Sequence, residues 1–223
     1  MLEFQSGYVV NFPSALGYDV VNIDAAAGFY LLCDGANGCR DGQKAALWLS
    51  RYLAENLKLL RAGEFSHPYL EQLIIDANTF MIANFVDGCS TVVGLYAHRE
   101  HIVCFGVGDS YAYAFRNTTG RWTLEDQLPR DVDEAGNPWQ LVGSNALTTI
   151  HARDMDNSGN TSFVLLSDGI GNFLTPDEIT HYLPSMGNWM ALGSVASELA
   201  QAAINRGSKD DVSALIIQVR PAK

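Results

Sequence analysis

Three aspartates of this chain occupy one kind of position. Asp34 ends the apolar run FYLLCD (29–34) and precedes Gly35; Asp168 ends SFVLLSD (162–168) and precedes Gly169; Asp109 follows CFGVG and precedes Ser110. An apolar run that delivers a carboxylate to a glycine reads as a strand end, rigid before the acid and open to close approach after it. Asp210 stands just before the last apolar run, and Asp19 near the start of the second. Carboxylates brought together cannot all stay ionised without a cation, so the chemistry they imply is that of Mg²⁺ or Mn²⁺. Taken singly, an Asp-Gly pair is most often only a turn. Its repetition at the ends of long apolar runs is what favours a shared metal site. The histidines form no HxxxH pair and there is no GxSxG elbow, so neither zinc hydrolysis nor a Ser-His-Asp triad has support. No two of Cys33, Cys39, Cys89 and Cys104 form a CxxC pair. Cys33, Cys89 and Cys104 lie in strand-like runs and read as buried, reduced thiols.

The elements that must position these acids follow from the apolar pattern. At 223 residues, 48% hydrophobic and 17% charged, the chain has enough apolar material for a substantial core. One domain over 1–223 is expected, because no linker, repeat or low-complexity tract divides it. A formal net charge of -11 argues against nucleic acid or an anionic membrane as partner. The absence of a long apolar run and of a signal-like start makes a cytoplasmic protein the expectation. Strand-like runs at 7–12, 18–23 and 29–34 lead into two helical patterns, Ala45 to Leu57 and Leu70 to Met81, the second counting Phe80 on its apolar face. Four strands with short turns follow at 90–97, 101–107, 111–116 and 121–124, the polar HRE (98–100) marking a hairpin. Residues 125–144 lose periodicity and read as a functional surface loop. Strand character returns at 146–152 and 162–168, TPDE (175–178) starts a helix, a last helix runs from Trp189 to Ala203, and 211–219 is a closing strand. Helices grouped in sequence disfavour a doubly wound sheet and suit two packed sheets with helix pairs outside.

At these residues the chain resembles the metal-dependent serine/threonine protein phosphatases, the 2C-type or PPM family, in the form of its short bacterial members. LLCDGANG (31–38) resembles the family's VADGMGG, and Gly42 its helix-opening glycine. STVVGLYA (90–97) is similar to TTLVAAL, VGDSYAYAFR (107–116) to VGDSRAYLFR, and NALTTIHA (145–152) to NVLTRALG. LLSDGIGNFLTPDEI (165–179) and KDDVSALII (209–217) resemble the family's remaining acidic motifs, all in the right order. The resemblance implies an α+β fold: a four-layer αββα sandwich of two antiparallel sheets flanked by helix pairs, with the metal site at one end and a short flap at about 125–144. It implies hydrolysis of phosphoserine and phosphothreonine by a metal-bridging water, in signal transduction.

Carried over residue by residue, Asp34 would bridge two Mn²⁺ or Mg²⁺ ions with Gly35 offering its carbonyl. Asp168 and Asp210 would hold one of them, and Asp109 with Asp168 a third. Asp34 and Asp168 would be the residues on which turnover depends. Asp19 takes the first acidic position in preference to Asp24, which lies too close to Asp34 in sequence. The implied partner is a phosphorylated protein, the target of a bacterial-type kinase or that kinase itself, with neither nucleic acid nor membrane involved. The chain departs from the pattern in places. Ser14 stands at the phosphate-binding arginine, Ala36 at a general-acid histidine, and Gln43 at an acidic residue. Arg40 is the candidate to replace the arginine. A catalytically weak or inactive relative that binds a phosphoprotein or a regulatory partner is the alternative.

Overall fold

In the computed structural model, residues 2–11, 17–59, 65–85, 87–98, 101–156, 160–185, 188 and 191–221 are described. The strands are β1 (Leu2–Asn11), β2 (Asp19–Asp24), β3 (Phe29–Asp34), β4 (Val92–His98), β5 (His101–Val107), β6 (Tyr111–Thr118), β7 (Arg121–Gln127), β8 (His151–Asp154), β9 (Thr161–Leu166) and β10 (Val212–Pro221). The helices are α1 (Gly42–Lys58), α2 (His67–Asn84), α3 (Asp168–Gly171), α4 (Pro176–Tyr182) and α5 (Leu192–Asn205). They build two five-stranded antiparallel sheets, ordered β1-β10-β9-β6-β7 and β2-β3-β4-β5-β8.

The near-continuous apolar strands are explained by burial on both faces. In β3, Phe29, Leu31 and Cys33 point into a core shared with Leu49, Leu53, Leu70 and Ile74 of α1 and α2. Tyr30 and Leu32 point the other way, into a core between the sheets with Phe163, Leu165, Leu215 and Ile217. The opposite faces of β9 and β10, through Val164, Leu166, Ala214 and Ile216, pack on Leu192, Val195, Ala196 and Leu199 of α5 and Ile179 of α4. The result is helices, sheet, sheet, helices: the expected αββα order.

Local signals act as expected at several ends. Thr175 caps α4 in a reciprocal box with Glu178, and Pro176 opens it. Gly207 follows α5 with φ 98°, a left-handed conformation that suits glycine. The β4–β5 hairpin pairs His98 with His101; Arg99 and Glu100 lie outside the described residues, as do Ser14 and Trp189. Three expectations are corrected. β1 begins at Leu2, because its partly polar residues pair along the whole of β10. The run 146–152 is a strand only from His151, since its earlier residues belong to an irregular stretch that starts after β7. Phe80 does not face the core; it is 42% exposed and stacks on Trp48 with ring centroids 4.3 Å apart.

Candidate metal centre

Antiparallel register brings the first two acids together. Asp19, the first residue of β2, lies directly opposite Asp34, the last of β3. Asp24 lies opposite Phe29 at the far end of the same ladder, about 17 Å along the strand at roughly 3.4 Å per residue. There it accepts a hydrogen bond from the Ala27 N–H (3.0 Å), which holds its carboxyl below the usual range, and it pairs with Lys58 at 3.3 Å. The geometry therefore separates Asp24 from the other acids.

The backbone of Asp34 is fixed on three sides. Its N–H donates to Thr91 Oγ1 (3.1 Å), and its carbonyl accepts from the Thr91 N–H (2.8 Å) and Ser90 Oγ (3.0 Å). Thr91 Oγ1 in turn meets Ser110 Oγ at 2.7 Å, which ties this strand end to the turn carrying Asp109. The Gly35 N–H donates to the Tyr18 carbonyl (3.2 Å). A side chain at Gly35 would place Cβ 2.5 Å from the Gly42 carbonyl, so only glycine lets the loop close against α1.

Asp168 and Asp210 come from the other sheet. Asp168 is the first residue of α3, two positions past β9, and accepts a hydrogen bond from Asn172 Nδ2 (3.3 Å). Asp210 precedes β10 and accepts from its neighbour's N–H (2.8 Å) and from Asn37 Nδ2 (2.6 Å) in the loop after Asp34. A Cβ on Gly169 would lie 2.0 Å from the Asp211 carbonyl, so glycine there allows α3 to sit against the start of β10.

These acids act on one another. Burial, then the charges of Asp19, Asp168 and Asp109, drives Asp34 well above the usual carboxylate range. Asp168 is pushed up to about 7 by burial and then by Asp109, Asp210 and Asp19. Asp109 is raised by burial, with Arg130 opposing. Asp19, only 4% exposed, is raised to about 6, mainly by burial. Ser213, Ser167 and Asp34 approach it, yet both of its buried oxygens lack a hydrogen bond of acceptable geometry. A buried carboxylate without partners, facing other carboxylates, fits a divalent cation: oxygen donors suit Mg²⁺ or Mn²⁺, and the cation supplies the missing partner.

The structure thus gathers Asp19, Asp34, Gly35, Asp109, Asp168 and Asp210 at one end of the two sheets. Arg40 is exposed on the loop between β3 and α1. Sequence reasoning overlooked Asp211 and Asp131. Asp211, 2% exposed, accepts from the Tyr18 N–H at 2.6 Å and so joins the sheets beside Asp19. Its signal was the doubled acid at 210–211. Asp131, 1% exposed, accepts from the Gly108 N–H (2.8 Å), returns a hydrogen bond from its own N–H to the Gly108 carbonyl (2.8 Å), and meets His151 Nε2 at 2.7 Å. No local pattern marked it, because its partners lie 23 and 20 residues away.

Compared by sequence, neither a protein-family model nor a curated protein matches the chain. Compared by structure, it is similar to a bacterial serine phosphatase, with a TM-score of 0.81 at 18% identity over 99% of this chain and 100% of that one. The catalytic domain of the serine/threonine phosphatase PstP, in complex with two manganese ions, gives 0.80 at 18% identity, covering 99% and 100%. Stp1 of Staphylococcus aureus gives 0.79 at 18% identity, covering 99% and 96%. Over its whole length, then, the chain has the fold of the bacterial serine/threonine phosphatases of the PPM type.

Proposed function

We propose that this chain is a metal-dependent phosphoprotein phosphatase that hydrolyses phosphoserine and phosphothreonine. The observation that carries the reading is the Asp19 carboxylate, buried without hydrogen-bond partners opposite Asp34. In this reading Asp19, Asp34, the Gly35 carbonyl, Asp168 and Asp210 hold two Mn²⁺ or Mg²⁺ ions, and Asp109 joins Asp168 in holding a third. When bound, such cations supply an activated water and offset charge on the phosphoryl oxygens.

The remaining work belongs to the chain's own residues. Thr91 and Ser90 lock the Asp34 backbone at the strand end, so that its carboxylate is presented from a rigid point. Asn37 and the Asp211 N–H orient Asp210. Asp131 holds both backbone groups of Gly108 and thereby aims the next residue, Asp109. Arg40 is the cation we assign to the substrate phosphate. Its guanidinium can offer paired hydrogen bonds where Ser14 has only a hydroxyl. The fold shared with bacterial serine/threonine phosphatases supports a phosphoprotein partner, and a kinase-signalling role follows from the same proposal.

The test is hydrolysis of p-nitrophenyl phosphate and of phosphoserine and phosphothreonine peptides, with Mn²⁺ and then with excess EDTA. Turnover that requires the metal supports the reading; equal turnover in EDTA overturns it. A second reading, a phosphoprotein-binding module, is favoured by Ser14 at the family's arginine position and Ala36 at its histidine. Metal-dependent peptide binding without turnover would select it.

A further inference from the structure

We propose that Cys39, Asp87 and Cys89 form a second cation site, separate from the carboxylate centre and selective for thiophilic divalent metals of the zinc class. The Sγ atoms of Cys39 and Cys89 and a carboxylate oxygen of Asp87 lie within 4.8 Å of one another. Tetrahedral zinc, with zinc–sulfur bonds of about 2.3 Å, spaces two sulfurs by about 3.8 Å, within reach of small side-chain rotations from this arrangement. The cysteines are 50 positions apart in sequence and form no CxxC pair, so only the fold brings them together.

The frame around the three is already built. The Ala36 N–H donates to the Cys89 carbonyl (3.0 Å), the Asp41 N–H to the Asp87 carbonyl (3.4 Å), and the Cys39 N–H closes a turn onto Ala36 (2.9 Å). Ser90 and Val142 exchange both backbone hydrogen bonds, at 2.9 and 3.0 Å, which sets Gly143 beside the site. The Gly143 carbonyl lies 3.5 Å from Cys89 Sγ, a fourth donor atom at the cluster's edge. Two loops are therefore fastened together before any cation arrives, and the entropic cost of assembling the ligands is reduced.

The donor set decides the metal. Two sulfurs with one carboxylate favour Zn²⁺, Co²⁺ or Cd²⁺, whereas the all-oxygen cluster around Asp34 suits Mg²⁺ or Mn²⁺. Burial pushes the Cys89 thiol up to about 12, and the neighbouring Cys39 and Asp87 side chains add to this. A cation would offset that shift and release protons as it binds. Because Cys39 follows Gly35 in the same loop, an occupied site would brace the segment between β3 and α1.

The experiment is titration of the full chain, kept reduced with a phosphine, by Co²⁺ and then Zn²⁺. Wild type should develop a sulfur-to-cobalt charge-transfer band that saturates at one equivalent and disappears as Zn²⁺ is added. Asp34→Asn should keep that band, since it alters only the carboxylate centre. Cys39→Ser, on a partly exposed loop where folding is least at risk, should lose it. Asp87→Asn should weaken Co²⁺ binding at least tenfold, with circular dichroism checking both folds. Zn²⁺ should also shield two thiols of wild type from an alkylating reagent. Wild type without the band, a band that survives Cys39→Ser, or thiols that alkylate equally fast with and without Zn²⁺ would each overturn the proposal.

Discussion

Asp19 faces Asp34 across the β2–β3 ladder, and its carboxylate is buried with neither oxygen hydrogen-bonded. Two acids at facing ends of adjacent strands repel each other in a site that water does not reach freely. Removing Asp19 should therefore have opposite effects on metal-free stability and on metal affinity. Asp19→Ala is expected to stabilise the chelated protein by about 1–3 kcal/mol, through relief of an unsatisfied buried group. It should weaken Mn²⁺ binding at least about tenfold. Asp24→Ala should leave Mn²⁺ affinity unchanged. Thermal melts in EDTA, with Mn²⁺ titration calorimetry, check both; a larger loss of affinity in the Asp24 variant would reverse the assignment.

Asp34→Asn and Asp168→Asn should each remove phosphatase turnover while leaving the circular dichroism unchanged. The loss should exceed the roughly 10- to 100-fold that removal of an outer hydrogen-bond partner of a metal ligand costs. Steady-state rates at saturating Mn²⁺ measure it.

The crowding also predicts a pH signature. The ordinary aspartate value is 3.8, whereas Asp19 is raised to about 6 and Asp168 to about 7. Between these values the folded, metal-free chain holds protons that the unfolded chain has released. The associated stability is fully present below about pH 4 and is lost as pH rises through about 6 to 7. In EDTA the melting temperature should fall between about pH 5 and about pH 8. The rise produced by Mn²⁺ should be larger at the higher pH, because the cation no longer competes with protons. Equal Mn²⁺ effects at both would argue against carboxylate ligation.

Asp131 supplies a test of positioning at a distance. Asp131→Ala leaves the buried Gly108 N–H without its carboxylate and His151 without its partner. A cost of about 2–3 kcal/mol is expected from the lost charged hydrogen bond. If Asp131 aims Asp109, kcat should fall at subsaturating metal and recover in part as Mn²⁺ is raised. Asp131→Asn, which keeps one acceptor, should fall less.

For substrate phosphate the test residue is Arg40. Charged hydrogen bonds of about 1.5–3 kcal/mol correspond to roughly a 10- to 150-fold rise in KM for p-nitrophenyl phosphate in Arg40→Ala, with kcat nearly unchanged. No change in KM would remove Arg40 from the site.

Much of the fold was written in local pattern. FYLLCD and FVLL read as strands buried on both faces, and the alternation of Phe29 and Leu31 against Tyr30 and Leu32 between two cores accounts for that. Thr175, Pro176 and Glu178 marked a helix start because capping depends on residues only three apart. Asp34, Asp109 and Asp168 were legible for the same reason: each is flagged by its own apolar run and its neighbouring glycine. Their convergence with Asp19 and Asp210 was implied by the family resemblance but by no local pattern. It depends on the β2–β3 register that sets Asp19 rather than Asp24 opposite Asp34, and on the packing of two sheets that brings Asp168 and Asp210 to the same end. Asp131 and the Cys39–Asp87–Cys89 cluster lie further still from sequence reach. Hydrophobic periodicity encodes which face of an element is buried, but contacts between polar groups tens of residues apart exist only once register and sheet packing have fixed them.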